Sequence, residues 1–161
     1  MGAAHLHLIL NHVPVLGVVF AGLLLGTALW YRSPQFQRLA LVMVVGSALV
    51  AVPVYLTGEG AEDMVEGMAG VSEAAIERHA DAAEASIVAI GVLGALALLG
   101  VVAYRKAEAV PKVFAAGLLA LTLTTTGLFA WTGYLGGQIR HTELGGSMAA
   151  ATDRRGAEHD D

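Results

Sequence analysis

Val13-Pro14-Val15-Leu16-Gly17-Val18-Val19-Phe20-Ala21-Gly22-Leu23-Leu24-Leu25-Gly26-Thr27-Ala28-Leu29-Trp30-Tyr31 contains no charged side chain and closes on two aromatic residues. A hydrocarbon layer about 30 Å thick takes roughly 20 apolar residues in helical form, so this stretch reads as a membrane span. Three comparable runs follow, from Leu39 to Leu56, Ala83 to Tyr104 and Val113 to Tyr134. Trp30, Tyr31, Tyr55, Tyr104, Trp131 and Tyr134 stand at the ends of these runs. Amphipathic rings favour that level of a bilayer.

Composition agrees with this. The chain has 161 residues, 56% hydrophobic and 14% charged, against roughly a quarter charged in an average soluble domain. The expected fold is an all-α integral membrane four-helix bundle over residues 1–144, followed by a disordered tail over 145–161, which mixes small and charged residues without periodicity. The chain has no cysteine, which excludes disulfides, thiolate metal sites, iron–sulfur clusters and the thioether attachment of c-type haem. The first apolar run has full spanning length and no basic segment before it, so no cleavable signal peptide is expected.

The net charge of −5 is segregated along the chain. Arg32, Arg38, Arg105, Lys106 and Lys112 fall in the first and third connections, with Glu108 as their only acid. The N-terminus, the Gly58–Ala82 connection and the tail hold twelve of the other acids, with Arg78, Arg140, Arg154 and Arg155, and the thirteenth, Glu84, stands at the outer start of the third run. Basic connections stay in the cytoplasm, so the expected location is a bacterial inner membrane with both termini outside. The lipid bilayer is the first partner this implies.

Local signals refine the helices. Ser72 is a candidate N-cap for a third helix that starts before its span, with Glu73 and Glu77 favoured by the helix dipole. Continuous to Tyr104, that helix would reach about 50 Å and project beyond the bilayer. Gly91, Gly94 and Gly100 suit close helix packing. Pro14 reads as lying in the first turns of its span, and Pro53 as a kink in the second helix. Thr122, Thr124, Thr125 and Thr126 are expected to bond between helices or back to their own carbonyls.

Five histidines, His5, His7, His12, His79 and His141, fall on the outer side of this topology. Imidazoles near hydrocarbon are rare and costly, and several at one depth point to a binding site. On a helix His5 and His12 share a face, two turns apart, while His7 points the other way. His79 precedes the third span with Ala83 and Ser86 on its face. His141 follows Gly136-Gly137-Gln138-Ile139-Arg140, where glycine permits close backbone approach. The plain alternative for each is a solvated, unligated histidine at a helix end. Glu59 and Glu62 add carboxylates near the same level.

Three motifs carry a resemblance: His5-x-His7-Leu8-x-Leu10-Asn11-His12-x-Pro14, Thr57-Gly58-Glu59-Gly60-Ala61-Glu62, and Gly136-Gly137-Gln138-Ile139-Arg140-His141-Thr142-Glu143. Over nearly the whole chain, to about Leu144, it resembles a family of small four-helix bacterial membrane proteins of unknown function. The resemblance implies the fold and no activity. Where members often read His-Glu, this chain has His79-Ala80, which removes a carboxylate ligand at position 80.

The expected function is b-type haem binding, with one or two haems, in an electron-transfer subunit working between a membrane quinol pool and a redox protein at the outer face. His12 with His79 or His141 would clamp one haem. His5 or His7 with the remaining histidine would hold a second, and Arg78 and Arg140 would pair with propionates. The alternative is zinc, copper or iron held directly by His7, His12, His79 and His141 with Glu59 or Glu62. A third reading is a structural or accessory subunit in which the histidines serve packing or a response to pH. No nucleophile, phosphate loop or acid/base pair points to hydrolysis.

Overall fold

The computed structural model describes residues 3–65 and 71–140. His141, Glu143 and the expected tail over 145–161 lie outside the described residues, as does the side chain of Arg140. The described chain is all-helical: α1 (Ala3–Leu10), α2 (His12–Tyr31), α3 (Pro34–Leu56), α4 (Gly58–Val65), α5 (Glu73–Ala103) and α6 (Lys112–Arg140). Four helices are long and apolar enough to cross a membrane: His5–Tyr31, Pro34–Leu56, Glu73–Ala103 and Lys112–Ile139.

Asn11 alone separates α1 from α2. It keeps helical φ −59° and ψ −29°, and its N–H donates to His7 C=O at 2.9 Å, so the two helices run on as one. Pro14 explains the irregularity, because it cannot donate to Leu10 and its ring crowds that carbonyl. Pro14 is therefore interior to a longer helix rather than at its beginning. At the other end of α2, Arg32 adopts a left-handed φ of 53°, and Ser33 N–H reaches back to Ala28 C=O at 3.0 Å. Ser33 then caps α3 through its hydroxyl, which accepts from Phe36 N–H at 3.4 Å, and Pro34 follows at the first helical position. This cap starts α3 five residues before the expected span. Ser72 is the N-cap of α5, with extended φ −99° and ψ 121°, but makes no side-chain cap bond.

Each of α2 and α5 packs against both α3 and α6. The four helices thus form a square with α2 and α5 on one diagonal and α3 and α6 on the other. α1 continues α2 and packs against α4 and the end of α3. Buried positions on each helix step alternately by three and four: Pro14, Val18, Ala21, Leu25 and Ala28 on α2, and Gln37, Ala40, Val44, Ser47 and Ala51 on α3. The pattern continues with Ser86, Ile90, Leu93, Ala97 and Gly100 on α5, and Ala115, Leu118, Thr122 and Thr125 on α6. This 3.5-residue period keeps one stripe facing the partners along the whole length.

Outside the stripe the helices stay apolar. Leu23, Leu49, Leu99 and Leu123 are 61%, 68%, 62% and 61% exposed on four different helices. Helices apolar all round, with leucine on the outside of the bundle, suit lipid as the surrounding solvent. The seam itself mixes Leu, Ile and Val with small residues and buried threonines, and the α6 hydroxyls are satisfied within their own helix. Thr122, Thr124, Thr125 and Thr126 each donate to the carbonyl four residues back, at 2.7, 3.1, 2.9 and 2.9 Å. At the basic-connection end Gln37 Oε1 accepts from Val110 N–H at 3.1 Å and Arg38 donates to Ala107 C=O at 2.6 Å. These bonds fold the α5–α6 connection back onto α3.

Gly94 of α5 lies directly against Ala48 of α3, where a Cβ would collide with the Ala48 methyl. Gly100 meets Leu41 and Phe114 in the same way, whereas Gly91 has open space beside it. Of the three α5 glycines, two therefore serve close packing. Gly94→Val is expected to push α3 and α5 apart and destabilise the protein by about 1–3 kcal/mol. Gly91→Ala is expected to leave stability within about 0.5 kcal/mol of the parent. Unfolding of detergent-solubilised protein compares the two.

A histidine pair at the termini end of the bundle

Span length gives the level at which a hydrocarbon edge would fall. About 20 residues at 1.5 Å each cover 30 Å. Counted from the basic connections, that distance ends near Asn11 on the first helix, Tyr55 on α3, Ala83 on α5 and Thr132 on α6. Exposed Tyr55, Trp131 and Tyr134 mark the level, and Trp131 and Tyr134 stack at 5.6 Å. α5 has 31 residues and α6 has 29, so both project beyond this edge, as does α1. His7 and His79 sit about one helical turn beyond it.

Both belong to the inner stripe. Stepping back from Val18 and Pro14 by alternate threes and fours gives Asn11 and then His7. Stepping back from Ser86 gives Ala83 or Ala82 and then His79. His7 and His79 are half-buried, while His5 and His12 are exposed. His12 only turns its Nδ1 onto Leu8 C=O of the same helix, at 3.2 Å. The histidine that faces the bundle from the N-terminal motif is thus His7.

Each inner imidazole is fixed by a backbone carbonyl of a neighbouring helix. His7 Nδ1 bonds Val54 C=O at 2.9 Å. That carbonyl lies in the last turn of α3, which ends at Leu56 and where carbonyls lack intrahelical N–H donors; it also accepts from Thr57 Oγ1 at 3.0 Å. Thr57 takes the adjacent one, its N–H bonding Pro53 C=O at 3.0 Å. His79 Nδ1 bonds Thr132 C=O, within α6, at 3.0 Å. The approach is possible because residue 136 is glycine: a Cβ there would stand 2.9 Å from His79 Cε1 and 3.1 Å from Nδ1. Gly58 faces His7 less tightly, at 3.7 Å from Cε1.

A carbonyl only accepts, so each Nδ1 carries the hydrogen and each neutral ring presents an unprotonated Nε2. The hydroxyls beside His79 are already engaged. Thr132 Oγ1 donates toward Ala82 C=O at 3.1 Å and Leu128 C=O at 3.0 Å, and lies 2.9 Å from Ser86 Oγ. This cluster ties α5 to α6 one turn below the imidazole and sets the register that brings Thr132 C=O opposite His79.

The titratable side chains close enough to act electrostatically on His79 are His7 and Glu62. Glu62, on α4, is half-buried; Glu59 is exposed. Arg78 is exposed and donates through Nε to Ala74 C=O at 3.0 Å, on its own helix. Among the described residues no three His, Asp or Glu side chains converge to hold a metal ion. Asn11, one turn from His7 along the stripe, has its Oδ1 buried with no hydrogen-bond partner. Asn11 stands in the N-terminal motif without a role of its own; its place on the 3.5-residue stripe puts it inside the bundle.

Gly136→Ala is expected to drive the His79 ring off Thr132 C=O and abolish its single tautomer, whereas Gly58→Ala leaves His7 in place. Nitrogen chemical shifts of the two imidazoles in ¹⁵N-histidine-labelled protein read this directly. Compared with known protein families, with curated proteins and with solved structures, the chain matches none, so the chemistry of its site has to be argued from these residues.

Proposed function

We propose that the chain binds haem b between His7 and His79 and serves as a membrane electron-transfer subunit. The observation that carries this reading is a pair of half-buried imidazoles on diagonal helices, each with Nδ1 held by a backbone carbonyl. An imidazole so held has its tautomer and ring plane fixed and its Nε2 lone pair available, which is the second-shell arrangement of iron-ligating histidine. The two tethers lead to opposite corners, His7 to α3 and His79 to α6.

The donor set suits haem better than a bare ion. A directly bound zinc asks for at least three protein ligands, and the described residues bring together no such trio. Haem would bring its own nitrogen donors and one-electron redox chemistry, and His7 and His79 would be the residues that hold it. His5, His12 and His141 then remain for a second group or for solvent, and Arg78 and Arg140 for propionate contacts. The basic first and third connections support an orientation with this site on the outer side of a bacterial inner membrane. Electrons would pass there between quinol in the bilayer and a redox protein outside it.

Protein purified after expression with ample haem is expected to show a Soret band and the sharp reduced α-band of six-coordinate haem. His7→Ala or His79→Ala is expected to abolish the six-coordinate spectrum, and His5→Ala and His12→Ala to preserve it. No Soret band in the parent, or an unchanged spectrum in both inner variants, overturns the assignment. Because the chain has no cysteine, a single cysteine placed at position 160 tests the orientation: it should react with a membrane-impermeant thiol reagent on intact spheroplasts.

A further inference from the structure

Asn11 is the polar group at this end that the haem reading leaves unexplained. Its backbone N–H is used on His7 C=O at 2.9 Å, but its side-chain Oδ1 is buried without a partner. Buried polar atoms are nearly always paired, and an unmet acceptor costs stability with no structural return. The hydroxyls nearest in register cannot turn to it. Thr132 and Ser86 are committed to each other and to Ala82 and Leu128 C=O, and Thr57 to Pro53 and Val54 C=O.

Position and polarity define what would satisfy it. Asn11 stands at the hydrocarbon edge, about 6 Å deeper than His7 along the helix, so its ligand can come from the lipid phase. The acceptor left unmet here is Asn11 Oδ1. A complementary ligand therefore donates hydrogen and partitions into the bilayer.

We propose that Asn11 Oδ1 accepts a hydroxyl hydrogen from a membrane-soluble hydroquinone, seated beside the histidine pair. The choice of a hydroquinone over other lipophilic hydroxyls rests on the electron-transfer reading; the binding itself does not require haem.

The test uses full-length, haem-free protein in phosphatidylcholine nanodiscs and isothermal titration with a short-tailed trimethylhydroquinone. The parent is expected to bind it at least about tenfold more tightly than the corresponding dimethyl ether, which keeps the ring but has no hydroxyl. Asn11→Leu is expected to lose about tenfold in hydroquinone affinity while melting at the same temperature as the parent or higher, since it removes an unmet acceptor. Equal affinity for the ether, unchanged affinity in Asn11→Leu, or a clear drop in its melting temperature each overturn the proposal; the last would mean that a structural partner such as water already satisfies Oδ1. Loss of hydroquinone binding in phosphatidylglycerol nanodiscs would assign the site to a lipid hydroxyl instead and equally overturn it. Haem titration of parent and Asn11→Leu is read separately. A missing Soret band in both counts against the haem assignment alone, and hydroquinone binding is decided on the haem-free protein.

Discussion

Lipid removes the usual reason for helices to associate, because an apolar face gains nothing by leaving hydrocarbon for another apolar face. What remains is close contact and the pairing of polar groups, and both are confined to one 3.5-residue stripe on each helix. Gly94 against Ala48 and Gly100 against Leu41 and Phe114 provide the contact. Ser86 with Thr132 and Gln37 with Val110 provide the pairing. The stripe does not stop at the hydrocarbon edge. It runs on through Asn11 to His7 and through Ala83 to His79, so the period that packs the membrane portion also aims the imidazoles.

This period is why part of the site could be read from residues alone and part could not. The four spans, the early start and overhang of α5, and the back-bonding threonines all follow from composition, spacing and local side-chain chemistry. His5, His7 and His12 compared only with one another show that His7 opposes the other two, without saying which side is inside. The answer comes from outside the motif, in Val18, Ala21, Leu25 and Ala28, whose phase carried back through Pro14 selects His7. Those residues are uniformly apolar, as are their lipid-facing neighbours, so hydropathy does not distinguish the two faces. Small size and the occasional hydroxyl do. The early start of α3 was visible in Ser33-Pro34, a cap followed by a first-turn proline. The continuity of α1 with α2 was implicit in placing His5 and His12 on one helix, although Pro14 read as the start of the span rather than its interior.

Placement of the imidazoles depends on two carbonyls that are available for different reasons. Val54 C=O lies in the last turn of α3 and takes the imidazole beside the Thr57 hydroxyl. Thr132 C=O lies inside a helix and can take a second donor because Gly136, one turn on, leaves its flank bare. A helix end and a missing methyl group thus do equivalent work on opposite sides of the bundle. Asn11 is the exception to this full accounting, and its unmet oxygen is where folding and binding demands diverge.

The two tethers have a mechanical consequence. His7 hangs from the backbone of α3 and His79 from that of α6, and these helices occupy opposite corners of the square. The gap between the imidazoles is therefore slaved to the diagonal of the bundle rather than to rotamers at the site. Any rocking of α3 against α6 is transmitted to the rings through bonds of about 3 Å to main-chain atoms. The pair acts as a caliper whose jaws are carried by the frame it measures.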